Sequence, residues 1–279
     1  MPSGALVLGA IASVQVGAAV ATTLFARIGP AGTVFERLAF GSLILLAVWR
    51  PALRGRSRSE LMQAAVFGLV LAAMNLSFYE ALHRIPLGIA VALEFVGPLT
   101  VALLGSRRAR DLAWVAFAAA GILVLTSPSG HTLDGPGVAL ALLAGCFWGA
   151  YIVLNARLGQ VFPGVTGLTL GMCVGALAVA PLGLAEGGSE LFSVESLLLG
   201  GAVGVLSSVI PYSFEVEALR RIATPVFGVL MSLEPAVAAL AGFLVVGQPI
   251  SPRLVIGIAL VIVASVGATR GSDEVPVAL

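Results

Sequence analysis

Ten apolar stretches follow one another along this 279-residue chain, each close to the ~20 residues that a helix needs to cross the hydrocarbon of a bilayer. They cover about 4–26, 30–49, 61–82, 86–105, 111–127, 135–156, 164–185, 196–218, 223–246 and 253–269. The joints are short and carry helix breakers: Gly29-Pro30, Arg50-Pro51, Ile85-Pro86, Ser127-Pro128, Pro163-Gly164, Gly187-Gly188, Thr224-Pro225 and Gln248-Pro249. No connection is long enough to hold a soluble domain. Charged residues make up 10% of the chain, against ~25% in a soluble domain, which leaves too little polar surface to face water. Lipid offers the backbone no hydrogen-bonding partner, so each stretch must close its own bonds as a helix. The sequence therefore specifies an all-α polytopic membrane protein of ten transmembrane helices. The net charge of +1 gives no basis for binding nucleic acid.

All fifteen basic residues are arginines, and their placement orients the chain. With the N-terminus inside, the inner connections and the tail hold eleven: Arg50, Arg54, Arg56, Arg58, Arg107, Arg108, Arg110, Arg157, Arg220, Arg221 and Arg270. The outer connections hold Arg27, Arg84 and Arg253, and Arg37 falls within the second span. The acidic connection with Glu186, Glu190 and Glu195 falls outside. The positive-inside rule thus expects both termini in the cytoplasm. The opening Met-Pro-Ser-Gly has neither a basic stretch nor a cleavage site, so the first span reads as uncleaved. Cys146 and Cys173 lie inside apolar runs and read as packed thiols that say nothing about redox compartment.

The chain is also written twice. Glu80-Ala81-Leu82-His83-Arg84-Ile85 recurs as Glu217-Ala218-Leu219-Arg220-Arg221-Ile222. A glycine-containing apolar run follows each copy and carries one carboxylate, Glu94 in the first and Glu234 in the second. Ala26-Arg27-Ile28-Gly29 is echoed by Ala156-Arg157-Leu158-Gly159. Residues 1–130 and 131–279 then form two repeats of five helices. Five is odd, so the repeats insert with opposite orientations, the arrangement that lets two similar halves exchange roles around a shared site. The plainer alternative is duplication that only built a stable bundle.

Enzyme signatures are missing: there is no His-Glu-x-x-His, no Gly-x-Ser-x-Gly, no Walker loop and no cysteine pair at metal spacing. His83 and His131 sit at membrane edges, where solvation explains them. No metal or cofactor is implied. The informative residues are ionisable groups within spans, each of which costs at least ~2.5 kcal/mol at the bilayer centre without a partner or a cavity. Glu36, Glu80, Glu94, Glu215, Glu217 and Glu234 are of this kind. Pro98 removes the hydrogen bond to the carbonyl of Glu94, and Pro235 frees the carbonyl of Met231 beside Glu234. An acid and a loose carbonyl at one kink make a polar locus, so Glu94 and Glu234 are the leading functional candidates. The competing reading makes each a protonated acid that binds helices together.

Arg37 is expected to reach a carboxylate on another helix or on a ligand. Asn75 and Tyr79 share one face of the third span, one turn apart. In the eighth span Pro211 frees the carbonyl of Ser207, and Tyr212 and Glu215 follow three residues apart. Trp148 and Tyr151 share a face of the sixth span, as a cavity wall or as ordinary packing. Gln15 is a lone amide that should find a partner inside the bundle. Gly167, Gly171 and Gly175 read as a close-packing stripe.

These segments resemble the EamA-type exporters of the drug/metabolite transporter superfamily, and most nearly their bacterial threonine/homoserine exporters. The resemblance rests on Pro86 to Phe95 with Gly97-Pro98, on Ser106-Arg107-Arg108, on Pro211-Tyr212-Ser213 with Glu215, and on Phe227-Gly228 with Leu230 to Ala236. It implies ten helices in two inverted repeats, a cytoplasmic-membrane location, and export of small amino acids driven by an ion gradient, with protons expected. The solute is then a small zwitterion, its carboxylate held by Arg37 or Tyr212. Its ammonium group, or a coupling proton, falls to Glu94 or Glu234. Three rivals stand beside this reading: an exporter of another metabolite, a non-transporting membrane partner and an intramembrane enzyme.

Overall fold

The computed structural model describes residues 3–51, 55–104, 111–126, 134–219, 221 and 224–271. Every secondary-structure element among them is helical. The helices are α1 (Ser3–Trp49), α2 (Arg58–Leu82), α3 (Leu87–Glu94), α4 (Val96–Leu104), α5 (Asp111–Thr126), α6 (Gly135–Val161) and α7 (Thr166–Gly187). They continue with α8 (Val194–Gly204), α9 (Ile210–Leu219), α10 (Thr224–Met231), α11 (Glu234–Ala241) and α12 (Pro252–Gly271). A 3₁₀ turn (Gly188–Phe192) follows α7, and wide π segments lie at Val205–Val209 and Gly242–Val246. Among the described residues, six helical stretches are long and apolar enough to cross a membrane, with shorter apolar helices at Leu87–Val101, Ala113–Thr126 and Pro252–Gly267.

The first two apolar stretches of the sequence form one helical element, α1, with a reversal at Gly29 (φ 67°, ψ 172°). That backbone conformation is open almost only to glycine. The chain does turn back there. Gly17 and Gly41, both twelve residues from Gly29, come against Ser207 and Ser208 of the same π segment. Glu186 holds the turn by accepting from the Ala31 N–H at 2.7 Å, which satisfies a donor that the second half of α1 would otherwise leave free.

Other helix ends are fixed in the same local way. Ser57 and Glu60 form a reciprocal capping box at the start of α2. Asp134 caps α6, accepting from Gly137 N at 2.9 Å, and Ser193 caps α8. The start of α3 is capped from far along the chain, where Leu87 N donates to Oε1 of Gln248 at 3.0 Å.

Contacts between chain-distant ends define two ends of the bundle. At one lie the Gly29 turn with Glu186, the Arg27–Glu195 ion pair (2.6 Å), the Arg84–Asp134 pair (3.6 Å) and the Gln248 cap. Arg253 also binds the carbonyls of Val124 and Leu125 there, at the end of α5. At the other end, Trp49 donates to Thr166 (3.0 Å) and Arg56 donates to the Val161 carbonyl (3.1 Å). Between them small residues allow close helix contact. Gly171 and Gly175 face Phe67 and Gly68 of α2, as the stripe in the sequence suggested. Cys173 is half-buried and Cys146 is exposed on the bundle surface, and both are free thiols.

Candidate functional site

Two broken helices cross near the middle of the bundle, and each carries an acid at its break. The break between α3 and α4 falls at Glu94-Phe95, where Pro98 withholds its N–H. The break between α10 and α11 falls at Ser232-Leu233, just before Glu234-Pro235. Helices α3 and α11 pack together, with Gly88 against Ala239. Both acids are buried, Glu94 at 8% and Glu234 at 5% exposure. Helix α6 crosses the first break so closely that a Cβ on Gly145 would sit 2.6 Å from the Glu94 carbonyl oxygen. One on Gly97 would meet the Gly145 carbonyl at 1.9 Å, so both positions need glycine for backbone-to-backbone contact.

The acids belong to a connected set. Glu94 lies within electrostatic reach of Glu234 and Arg37, and Glu234 within reach of Glu215. The side chain of Gln15, in the first half of α1, lies beside the Glu234 carboxylate. One oxygen of Glu234 and the Gln15 carbonyl oxygen remain buried without a hydrogen-bond partner among the described residues. A buried polar atom in that state costs ~1–3 kcal/mol, so the fold retains polar capacity here that its own packing does not use.

A second polar cluster adjoins the first. The Arg37 guanidinium donates to the Tyr79 hydroxyl at 3.2 Å and to the Ser207 carbonyl at 3.1 Å, and it sits 5.6 Å from the centre of the Tyr79 ring. Its Nε has no hydrogen-bond partner among the described residues. These bonds run to a phenol and a backbone carbonyl, whereas the sequence pointed to a carboxylate. The carbonyl is available for a definite reason. Pro211 has no N–H to give it, as the sequence indicated. In addition, the π segment shifts Ile210 N–H onto Val205, so the Leu206 carbonyl is released as well. Ser13 in α1 donates to that second carbonyl at 2.7 Å. The two halves of α1 thus supply one donor each to a wide turn in the second half of the chain, and π segments recur at functional sites.

The remaining candidates divide. Tyr79 is fully buried, and Asn75 turns its amide back to the Leu71 carbonyl (2.8 Å) within α2. Trp148 packs edge-on against Phe95 (5.4 Å), and Tyr151 stacks near Phe67 (5.1 Å). Tyr151 also lines a cleft of about 160 Å³ where α6 ends and α7 begins, and Glu215 of α9 reaches the same cleft. The side chain of Tyr212 lies outside the described residues, as do His131 and Ser106 to Arg108. His83 is exposed and touches Phe25 edge-on (5.9 Å). Glu36 is 3% exposed, with neither carboxylate oxygen partnered among the described residues, and it presses on Gly200 of α8.

Sequence reasoning missed two residues. Ser13 could have been found only by knowing that the helix around Pro211 widens. Asn155 lines the cleft beside Tyr151, and its signal was a lone amide one turn beyond that tyrosine.

Comparison with known proteins agrees with this architecture. Residues 135–270 match the EamA-like transporter family. The chain is 40% identical to the threonine/homoserine exporter RhtA of Escherichia coli (strain K12), over 95% of this chain and 90% of that protein. The RhtA protein of Salmonella typhimurium (strain LT2) is likewise 40% identical over the same shares. An uncharacterized transporter, YwfM of Bacillus subtilis (strain 168), is 27% identical over 81% of this chain and 79% of its own length. A solved crystal structure that shares 20% identity superposes with a TM-score of 0.61 over 94% of this chain and 95% of that one, which supports the fold. The protein is a membrane transporter and not an enzyme, and it belongs to the EamA-like transporter family.

Proposed function

We propose that this protein exports a small amino acid of the threonine and homoserine type across the bacterial cytoplasmic membrane. The observation that carries the reading is the 40% identity to a threonine/homoserine exporter along nearly the whole chain. In this reading the chain crosses ten times as two inverted repeats, residues 1–130 and 131–279, with both termini in the cytoplasm. Counting α1 as two crossings and joining the broken helices supports that number. The arginine-rich end of the bundle, which contains the α6–α7 turn, faces the cytoplasm.

The geometry supports a mechanism of alternating access coupled to protons. A zwitterion brings a carboxylate and an ammonium group together, and the bundle holds a cation and three acids in one connected region. Among the described residues Arg37 hydrogen-bonds neutral groups, Tyr79 and the Ser207 carbonyl, which leaves its charge able to meet a substrate carboxylate beside Glu94. Glu94 and Glu234 come from opposite repeats, and one of them holds the ammonium group while the other carries the coupling proton. Gln15 orients Glu234 from the first repeat.

Labelled threonine or homoserine loaded into proteoliposomes, with an imposed pH gradient, tests the reading. Efflux that follows the gradient is expected, with loss of its pH dependence in Glu94→Gln or Glu234→Gln. Wild-type vesicles that release no amino acid faster than empty ones exclude the function. Unchanged rates and pH dependence in both variants remove the two acids from the mechanism.

A further inference from the structure

We infer that the cleft at the α6–α7 turn is a receiving subsite for the transported amino acid, with Asn155 and Glu215 as its polar contacts. The inference rests on the proposed export function and adds to it a place and a residue. The cleft has room for about 160 Å³, roughly five waters at ~30 Å³ each, which suits a solute of eight or so heavy atoms. Its described lining comes from the second half of the chain: α6, the turn after it, the first residues of α7, and α9.

Its lining is selective. Leu158, Phe162 and Leu168 form an apolar wall, and Gly159, on the Asn155 face of α6, leaves open space with nothing within 4 Å of where a Cβ would stand. Asn155 is exposed and makes no hydrogen bond among the described residues, so its amide is free for a ligand. Glu215 supplies the opposite character. It lines the cleft and also lies within electrostatic reach of Glu234, so it joins the cleft to the buried acids. An amide donor for a carboxylate and an acid for an ammonium group, across a small half-apolar space, match a small α-amino acid. Val165 and Gly167, at the start of α7, complete the wall, and no side chain caps that helix, whose positive end favours the same carboxylate.

The test uses the full chain with Cys146→Ala and Cys173→Ala, reconstituted in vesicles. Asn155→Cys is labelled with a membrane-impermeant maleimide with and without saturating threonine. Gly135→Cys, in open space at the opposite end, is the control. Threonine is expected to slow labelling at position 155 at least fivefold and to leave the control unchanged. In transport assays Asn155→Ala is expected to raise KM about tenfold with little change in maximal rate. Equal labelling with and without threonine, or an unchanged KM, in a protein that still exports threonine overturns the subsite alone. Wild-type protein that exports no amino acid overturns the export reading, and the subsite with it.

Discussion

Replacing Pro211 with alanine tests the account of how Arg37 is held. Proline inside a helix is ~3 kcal/mol less favourable than alanine, so on propensity alone Pro211→Ala stabilises α9 and its junction with the π segment. The restored N–H points at the Ser207 carbonyl, which now accepts from Arg37 at 3.1 Å. Competition for that oxygen weakens the arginine's tether. Interhelical hydrogen bonds within membranes are worth ~0.6 kcal/mol on average and up to ~1.7, and the guanidinium charge puts this one at the upper end. Arg37→Lys removes the planar fork that reaches Tyr79 and Ser207 together. It should therefore destabilise the parent by ~1–2 kcal/mol, and much less in the Pro211→Ala background. The coupling in a double-mutant cycle is then about 1 kcal/mol, read by reversible unfolding in mixed micelles titrated with SDS. Transport should fall in Pro211→Ala even though the helix is more stable. Additivity within ~0.3 kcal/mol would show that the proline does not prepare this carbonyl for Arg37.

Gly97→Val should prevent the protein from accumulating in membranes, because its Cβ would meet a backbone carbonyl at 1.9 Å and neither helix can yield. Gly135→Ala, with nothing within 4 Å, should accumulate normally, and fluorescence-detected size-exclusion chromatography compares the two. Gly29→Ala should lower stability by at least ~1–3 kcal/mol from backbone strain alone. Its Cβ would also collide with Glu186, so a thermal-shift assay should show a larger loss than for Glu186→Gln, which keeps an acceptor for Ala31. Tyr79→Phe should cost ~1 kcal/mol of stability by the same assay and should lower transport, since one Arg37 donor then lacks its acceptor.

Much of this was readable from residue order because each signal was local. Runs of apolar residues between Pro and Gly locate helices, and prolines at 98, 211 and 235 mark where carbonyls come free. The acids beside Pro98 and Pro235 lie within electrostatic reach of each other, because the broken helices that carry them pack together at α3 and α11. What could not be read was the identity of each partner. Nothing local to Arg37 names Tyr79 or Ser207, which lie 42 and 170 residues away. The π segment was also hidden, because a one-residue widening depends on Ser13 and Arg37 stabilising the carbonyls it frees. Gln248 illustrates the same limit: its sequence context suggests a surface turn, yet it caps α3 from 161 residues away.

The two ends of the bundle differ in a way that bears on the proposed cycle. At the end away from the cleft, the halves are tied by the Arg27–Glu195 and Arg84–Asp134 pairs, by Glu186 on the Ala31 N–H, by Arg253 on the Val124 and Leu125 carbonyls and by the Gln248 cap on α3. Both ion pairs are 40% or more exposed on each side chain, so each contributes no more than ~1 kcal/mol. A side-chain cap contributes ~1 kcal/mol. The two ion pairs and the cap together contribute no more than about 3 kcal/mol of that hold. The acid-bearing centre is different, because Gly97 and Gly145 lock helix backbones there with no side chain to rearrange. In the proposed alternating-access cycle, the rim ties are the contacts that part while the glycine contact at the centre holds. Strengthening the rim should then stop export without disturbing the core. A disulfide that joined α3 to the Gln248 segment would hold the far end shut, and reducing it should restore transport.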